Sequence, residues 1–401
     1  MKHRRRTSLL AFPVAAALVL AACGGDDDDS SDTTTAATDT TAAATDTTAA
    51  GGAGVSLAGD CPETVVIQTD WNPEAEHGFL YQMVSPDDYE VDTAAVAVRG
   101  SLIGPGGEDT GVDIEVRSGG PAIGFQTVTS QLYAEEDILL GYVYTDEAIQ
   151  NSADFPTVAI ESGFEKNPQM IMWDPATYPD VETIADLGKS GAVVRYFGGA
   201  AYMEYFTAEG ILSADQVDGS YDGTPANFIA DGGEAAQQGF GSAEPYTYEN
   251  EVEGWMKPVK YAYINDAGWE NYAESIATKP ENITTYADCF TKLVPIIQQA
   301  SIDYLADPSQ ADPIILDAVT KFDNGWVYTQ AIADYGVKTM KADGLVANGP
   351  DDTVGNFDLD RVSTLIEKAI PIYTDLGNPP KDGLTAEDIV TNQFVDPSIG
   401  F

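Results

Sequence analysis

Histidine, cysteine and positive charge are the scarce components of this sequence. Its 401 residues hold two histidines, three cysteines and 19 lysines and arginines, against 65 aspartates and glutamates. The formal charge of −46 excludes nucleic acid as a partner, because a phosphate backbone is held by Lys and Arg. Only His77 lies beyond the first few residues, and no Ser/His/Asp or metal-ligand constellation is read around it. Two spare cysteines and one histidine are too few for a typical structural zinc site. The expectation is therefore a chain with no metal, no cofactor and no enzyme activity.

What is present begins with Lys2, Arg4, Arg5 and Arg6, followed by an apolar run over residues 9–22. The run is too short for a permanent span, and its flanks are those of a cleaved signal peptide covering residues 1–22. It ends Leu20-Ala21-Ala22-Cys23, which resembles the lipobox of bacterial lipoproteins. That resemblance implies a diacylglyceryl group on Cys23 and a lipid-anchored protein on the outer face of the cytoplasmic membrane. Losing the four cations takes the charge to −46 − 4 = −50. Residues 23–60 are rich in Asp, Thr, Ser, Ala and Gly and have too little apolar surface to offset the entropy of ordering. A disordered tether is expected there. Outside the cytoplasm the remaining pair, Cys61 and Cys289, is expected to form a disulfide.

Residues 60–401 are long enough for two lobes, and their pattern is α/β. Strands are expected over residues 64–69, 94–103, 112–116, 138–144, 156–160, 192–197, 217–221 and 237–241, with helical stretches between them. The alternation predicts mostly parallel sheets covered by helices. In the last third Tyr286, Cys289, Phe290, Leu293, Ile297, Ala300 and Tyr304 recur at helical spacing. A second stripe carries Ile315, Val319, Phe322 and Trp326. Both stripes read as core packing without chemistry.

Thr69-Asp70-Trp71-Asn72-Pro73 followed by Glu76-His77-Gly78 and Tyr81 is similar to the opening motif of the thiamine-pyrimidine-precursor binding family. That family is related to sulfonate, nitrate and riboflavin importer subunits and to the eukaryotic pyrimidine synthase. Ser118-Gly119-Gly120-Pro121, Ile184-Ala185-Asp186-Leu187, Gly198-Gly199-Ala200, Glu244-Pro245-Tyr246 and the tail from Asp388 to Pro397 extend the resemblance over residues 61–401. It implies a two-lobed type II periplasmic binding protein with its ligand between the lobes. Lobe one would take 61–185 plus 246–401, and lobe two 186–245. It also implies an ABC permease and its ATPase as partners for a monomer.

Trp71 offers a flat face for a heterocycle, while Asn72 offers a donor and an acceptor. His77 can do either. The pairs Gly119-Gly120 and Gly198-Gly199 sit between strand and helix, where backbone N–H groups can receive polar ligand atoms or simply make tight turns. Glu244, Tyr246 and Trp173 complete the candidate contacts. The ligand expected is a small nitrogen heterocycle, such as a thiamine pyrimidine precursor or a flavin. A sulfonate or nitrate is the alternative, with Arg117 and Arg195 near strand ends. A synthase-like enzyme is disfavoured by the missing cysteine cluster. A sensor or adhesin would differ from an importer subunit in having no permease partner.

Overall fold

The computed structural model describes residues 54–401. The expected signal peptide, Cys23 and the expected tether through residue 53 lie outside them. The chain joins the fold slightly earlier than expected: Leu57 is fully buried, and its N–H donates to Thr110 O at 2.8 Å. The last residues assigned to the tether therefore belong to the body.

Among the described residues twelve strands form two sheets. They are β1 (Thr64–Gln68), β2 (Glu90–Asp92), β3 (Ala97–Ile103), β4 (Asp109–Arg117), β5 (Leu140–Val143), β6 (Val158–Glu161), β7 (Gln169–Trp173), β8 (Val194–Arg195), β9 (Val217–Asp218), β10 (Ala236–Phe240), β11 (Lys260–Tyr263) and β12 (Ser275–Thr278). The first sheet has the order β2-β3-β4-β1-β5-β12-β6 and the second β11-β7-β10-β8-β9. Strand β1, reading TVVIQ, is buried along nearly its whole length, as suits a central strand with parallel neighbours β4 and β5.

Two sequence expectations are corrected. The sheets are mixed, because β7 and β12 run antiparallel to the strands on both their sides. The second sheet also reaches from β7 to β11, well beyond residues 186–245. The chain passes between sheets over residues 162–168 and 264–274, and Asn167 Nδ2 donates to Asn271 Oδ1 at 2.7 Å across the two passages. Glu244-Pro245-Tyr246 lies inside the second body, not at a crossing. The cause is long-range: the pairing partners of β7 are β10 and β11, which no local signal reveals.

The helix Ala287–Ala306 shows how the C-terminal third holds the first sheet. Its buried side chains Cys289, Phe290, Leu293, Ile297, Ala300 and Tyr304 are the ones its helical spacing marks as core. Gly78 opens the short helix Gly78–Gln82, where a Cβ would stand 2.0 Å from the Tyr304 ring. The glycine of the opening motif is thus needed for close packing. Cys61 and Cys289 are bonded, with Cα atoms 4.7 Å apart, joining the chain just before β1 to this helix. Removing the bond by Cys61→Ala and Cys289→Ala together is expected to cost about 2–5 kcal/mol of stability. Urea unfolding of both forms checks this; equal midpoints would contradict it.

Candidate ligand cleft

At the end of β1 the chain must turn out of the sheet, and neighbouring polar groups fix how it does so. Gln68 Nε2 donates to Thr69 O and Ser118 O at 3.0 and 2.9 Å, and Thr69 Oγ1 donates to Trp71 O at 3.0 Å. The N–H of Gly119 donates to Trp71 O and that of Gly120 to Asp70 O, both at 2.8 Å. These two glycine donors serve the backbone, so the expectation that they receive ligand atoms is corrected. Their glycine identity has another cause. A Cβ on Gly119 would stand 2.3 Å from Thr69 O, and one on Gly120, which has φ +54°, would stand 2.6 Å from the Trp71 ring.

The result is that Asp70 and Trp71 face a cavity of about 500 Å³ lined from both sheets, a size suited to a small ligand. Trp71 contacts Phe125, Phe197 and Trp326 with ring centroids 5.9, 6.4 and 6.1 Å away, and Phe197 lies 4.8 Å from Tyr221. Phe197 is held by Gln238 Oε1, which accepts its N–H at 2.9 Å and the Tyr202 hydroxyl at 2.7 Å. Gly198 and Gly199 follow directly and line the cavity. Gly199, at φ +94°, takes a backbone conformation that side chains disfavour.

Seven carboxylates also line the cavity: Asp70, Glu74, Glu76, Asp146, Glu147, Glu244 and Glu274. Among the described residues no lysine or arginine does. Asp70 Oδ2 accepts the Tyr144 hydroxyl at 3.1 Å, while Oδ1 lies 3.3 Å from His77 Nε2. Asp146 accepts from Trp269 Nε1 at 3.1 Å and Asn271 Nδ2 at 2.9 Å. Glu76 accepts the Ser242 hydroxyl, joining the 3-10 turn Ala75–His77 to the loop after β10. Glu274 sits at φ +48° with Oε2 buried and unpartnered. Burial, then the charges of Glu76, Glu274 and Asp70, drive Glu74 well above the usual carboxylate range. Burial, then Asp70 and Glu76, does the same to Glu274. Glu147 and Glu244 are pushed up to about 7, chiefly by burial.

Of the sequence candidates, Trp71, Gly120, Gly198, Gly199 and Glu244 line the cavity. Glu244 Oε2 accepts the Phe240 N–H at 2.7 Å. His77 is fully buried just beneath the floor, against Asp70. Four candidates lie elsewhere. Asn72 is buried and accepts from Asn324 Nδ2 at 2.8 Å. Trp173 packs in the core around the second sheet, because β7 pairs there. Gly119 is buried in its turn. Tyr246 packs against Tyr335 outside the cavity, with ring centroids 5.5 Å apart and the rings tilted. Trp326, read as core, instead reaches the cavity, because its helix ends at Phe322 and Asp323 turns left-handed at φ +44°.

Two mixed sheets with crossing segments between them and a ligand-sized cavity where they meet define a two-lobed type II periplasmic binding protein. Residues 108–311 match the family described as NMT1/THI5 like, and the chain belongs to that family. No curated protein sequence matches it. Among solved structures it is similar to the periplasmic aliphatic sulphonate-binding protein SsuA from Escherichia coli. The identity is 15%, the TM-score 0.52, and the match covers 84% of this chain and 92% of that one. It is likewise similar to the ligand-binding component of an ABC-type import system from Staphylococcus aureus. There the identity is 11%, the TM-score 0.52, and the coverage 84% and 100%. At these identities the likeness is one of fold. Among the described residues no helix is long and apolar enough to cross a membrane.

Proposed function

We propose that the chain is the extracytoplasmic solute-binding component of an ABC importer, and that its cleft takes a small nitrogen heterocycle bearing positive charge or several N–H donors. A thiamine pyrimidine precursor is of this class. The observation that carries the reading is the lining itself: seven carboxylates and an aromatic wall, which no lysine or arginine of the described residues joins. Carboxylates strengthen hydrogen bonds from charged donors, and aromatic faces attract cationic rings as well as stacking on them. The loaded protein would be held near its permease and ATPase by the lipid on Cys23.

A sulfonate or nitrate fits this lining poorly, although a relative of the same fold is named for sulphonate binding. The two arginines considered for an anion have other partners. Arg117 pairs with Glu115 and Asp137, and Arg195 with Asp218 and Asp231. A synthase reading lacks its thiols, since Cys61 and Cys289 are bonded to each other.

Thermal melts with an aminopyrimidine, riboflavin, an alkanesulfonate and nitrate test the reading. A ligand at a hundred times its Kd stabilises by about 2.7 kcal/mol, which is visible as a raised melting temperature. The aminopyrimidine is expected to give that rise. A rise with sulfonate or nitrate alone would overturn the proposal.

A further inference from the structure

We propose that Asp70, His77 and Glu274, with Glu74 beside them, form a site for one divalent transition-metal cation at the floor of the cleft. The donors come from three places in the fold: the end of β1, the 3-10 turn after it, and the second passage between sheets. His77 Nε2 lies 3.3 Å from Asp70 Oδ1 and 3.9 Å from both Glu74 Oε1 and Glu274 Oε2. The donor atoms of Asp70, His77 and Glu274 all fall within 4.8 Å of one another. Four ligands at about 2.0–2.1 Å from a tetrahedral cation stand roughly 3.3 Å apart. One edge already has that length, and small side-chain movements close the others.

Hydrogen bonding inside the protein does not account for the cluster. An imidazole Nε2–H can serve one acceptor well, and Asp70 takes that place. Glu274 is 1% exposed, and its Oε2, which points at the same nitrogen, has no hydrogen-bond partner. A buried carboxylate oxygen without a partner is costly, and a cation between these groups removes the cost. The donor set, one imidazole with two or three carboxylates, suits Zn²⁺, Mn²⁺ or Fe²⁺ better than the all-oxygen cages of Ca²⁺. The Tyr144 hydroxyl on Asp70 Oδ2, at 3.1 Å, orients that ligand from behind. Asp70, Glu74 and Glu274 all line the cavity, which provides an entry path. The expectation of no metal rested on counting cysteine and histidine; here carboxylates supply most of the ligands.

The probe is the metal alone. Full-length protein stripped with a chelator and dialysed is titrated calorimetrically with Zn²⁺ and with Mn²⁺. About 1 M NaCl, where the screening length is about 3 Å, suppresses loose binding to the acidic surface. One saturable site is expected for at least one of the two metals, weakened tenfold or more in Glu274→Gln and in His77→Gln. Circular dichroism establishes that the variants fold. If they do not, wild-type protein labelled with ¹⁵N-histidine decides the matter, because the bound metal must shift the Nε2 resonance of the buried histidine. Absence of saturable binding, binding undiminished in both folded variants, or an unmoved resonance overturns the site. No organic ligand enters the titration, so this result and the heterocycle reading stand or fall separately.

Discussion

Trp71→Ala is expected to weaken binding of the cleft ligand about thirty-fold or more and to leave the fold intact. Offset stacking contributes roughly 0.5–1.5 kcal/mol beyond burial, and burying an aromatic side chain roughly 1.5–3 kcal/mol. The low end of that sum already gives about thirty-fold, at about 1.4 kcal/mol for each factor of ten. The indole also touches both bodies, meeting Phe125 and Trp326 on one side and Phe197 on the other. Its loss therefore removes a contact between the two bodies as well as a stacking face. Because Trp71 is only half-buried, the melting temperature without ligand should change little. Calorimetry with the ligand found by thermal melts, alongside circular dichroism, separates the outcomes. Normal binding, or lost binding accompanied by unfolding, would return Trp71 to a packing role.

Acidification should stabilise the ligand-free protein, the reverse of ordinary acid denaturation. Burial pushes Glu161 up to about 8, and Glu147, Glu165 and Glu244 up to about 7, from an ordinary value of 4.5. Both Glu161 oxygens are buried without a partner, as a protonated carboxyl tolerates better than an ion. A raised folded pKa means that the folded state holds the proton more tightly than the unfolded state. Its contribution is complete below about pH 4.5 and is lost as pH rises through about 7 to 8. Each unit of difference is worth about 1.4 kcal/mol, so the four groups amount to several kcal/mol between about pH 8 and pH 5. Ligand affinity should move the other way, because Glu147 and Glu244 line the cleft and lose their charge below about 7. Binding of a cationic ligand then releases protons, which calorimetry in two buffers of different ionisation heat detects. A melting temperature that falls steadily from pH 8 to pH 5 would contradict the first expectation, and pH-independent affinity the second.

Local pattern carried much of the first sheet. The run before Thr69 and the helical stripe through Phe290 and Ile297 each depend on neighbours close in sequence, and each is found where expected. The lobe boundaries were not legible, because whether Gln169–Trp173 joins one sheet or the other is decided by strands some 65 and 90 residues later. The acidic character of the site was hidden for a similar reason. Asp70 and Glu74 lie inside the opening motif, but Asp146 and Glu274 reach it only through the pairing of β5 with β12. The overall negative charge masked them, since 65 acidic residues give no hint of which seven share one cavity. Trp326 shows the opposite error. Its spacing continues the stripe through Val319 and Phe322, yet a left-handed residue at Asp323 ends the helix first.

The bond between Cys61 and Cys289 also sets how the molecule carries mechanical load. Tension applied to the chain ahead of residue 61 passes through sulfur directly into the long helix Ala287–Ala306, and β1 is not peeled from the sheet strand by strand. The 228-residue separation between the cysteines is withdrawn from the force path, so both sheets and most of the cleft lining lie inside a loop that pulling cannot extend, while Trp326 and Tyr373 line the cleft from outside it. Stretching between residue 54 and the C-terminal end should release only the two outer segments while the bond is intact. With the bond reduced, the full contour should appear, and optical tweezers would register the missing length.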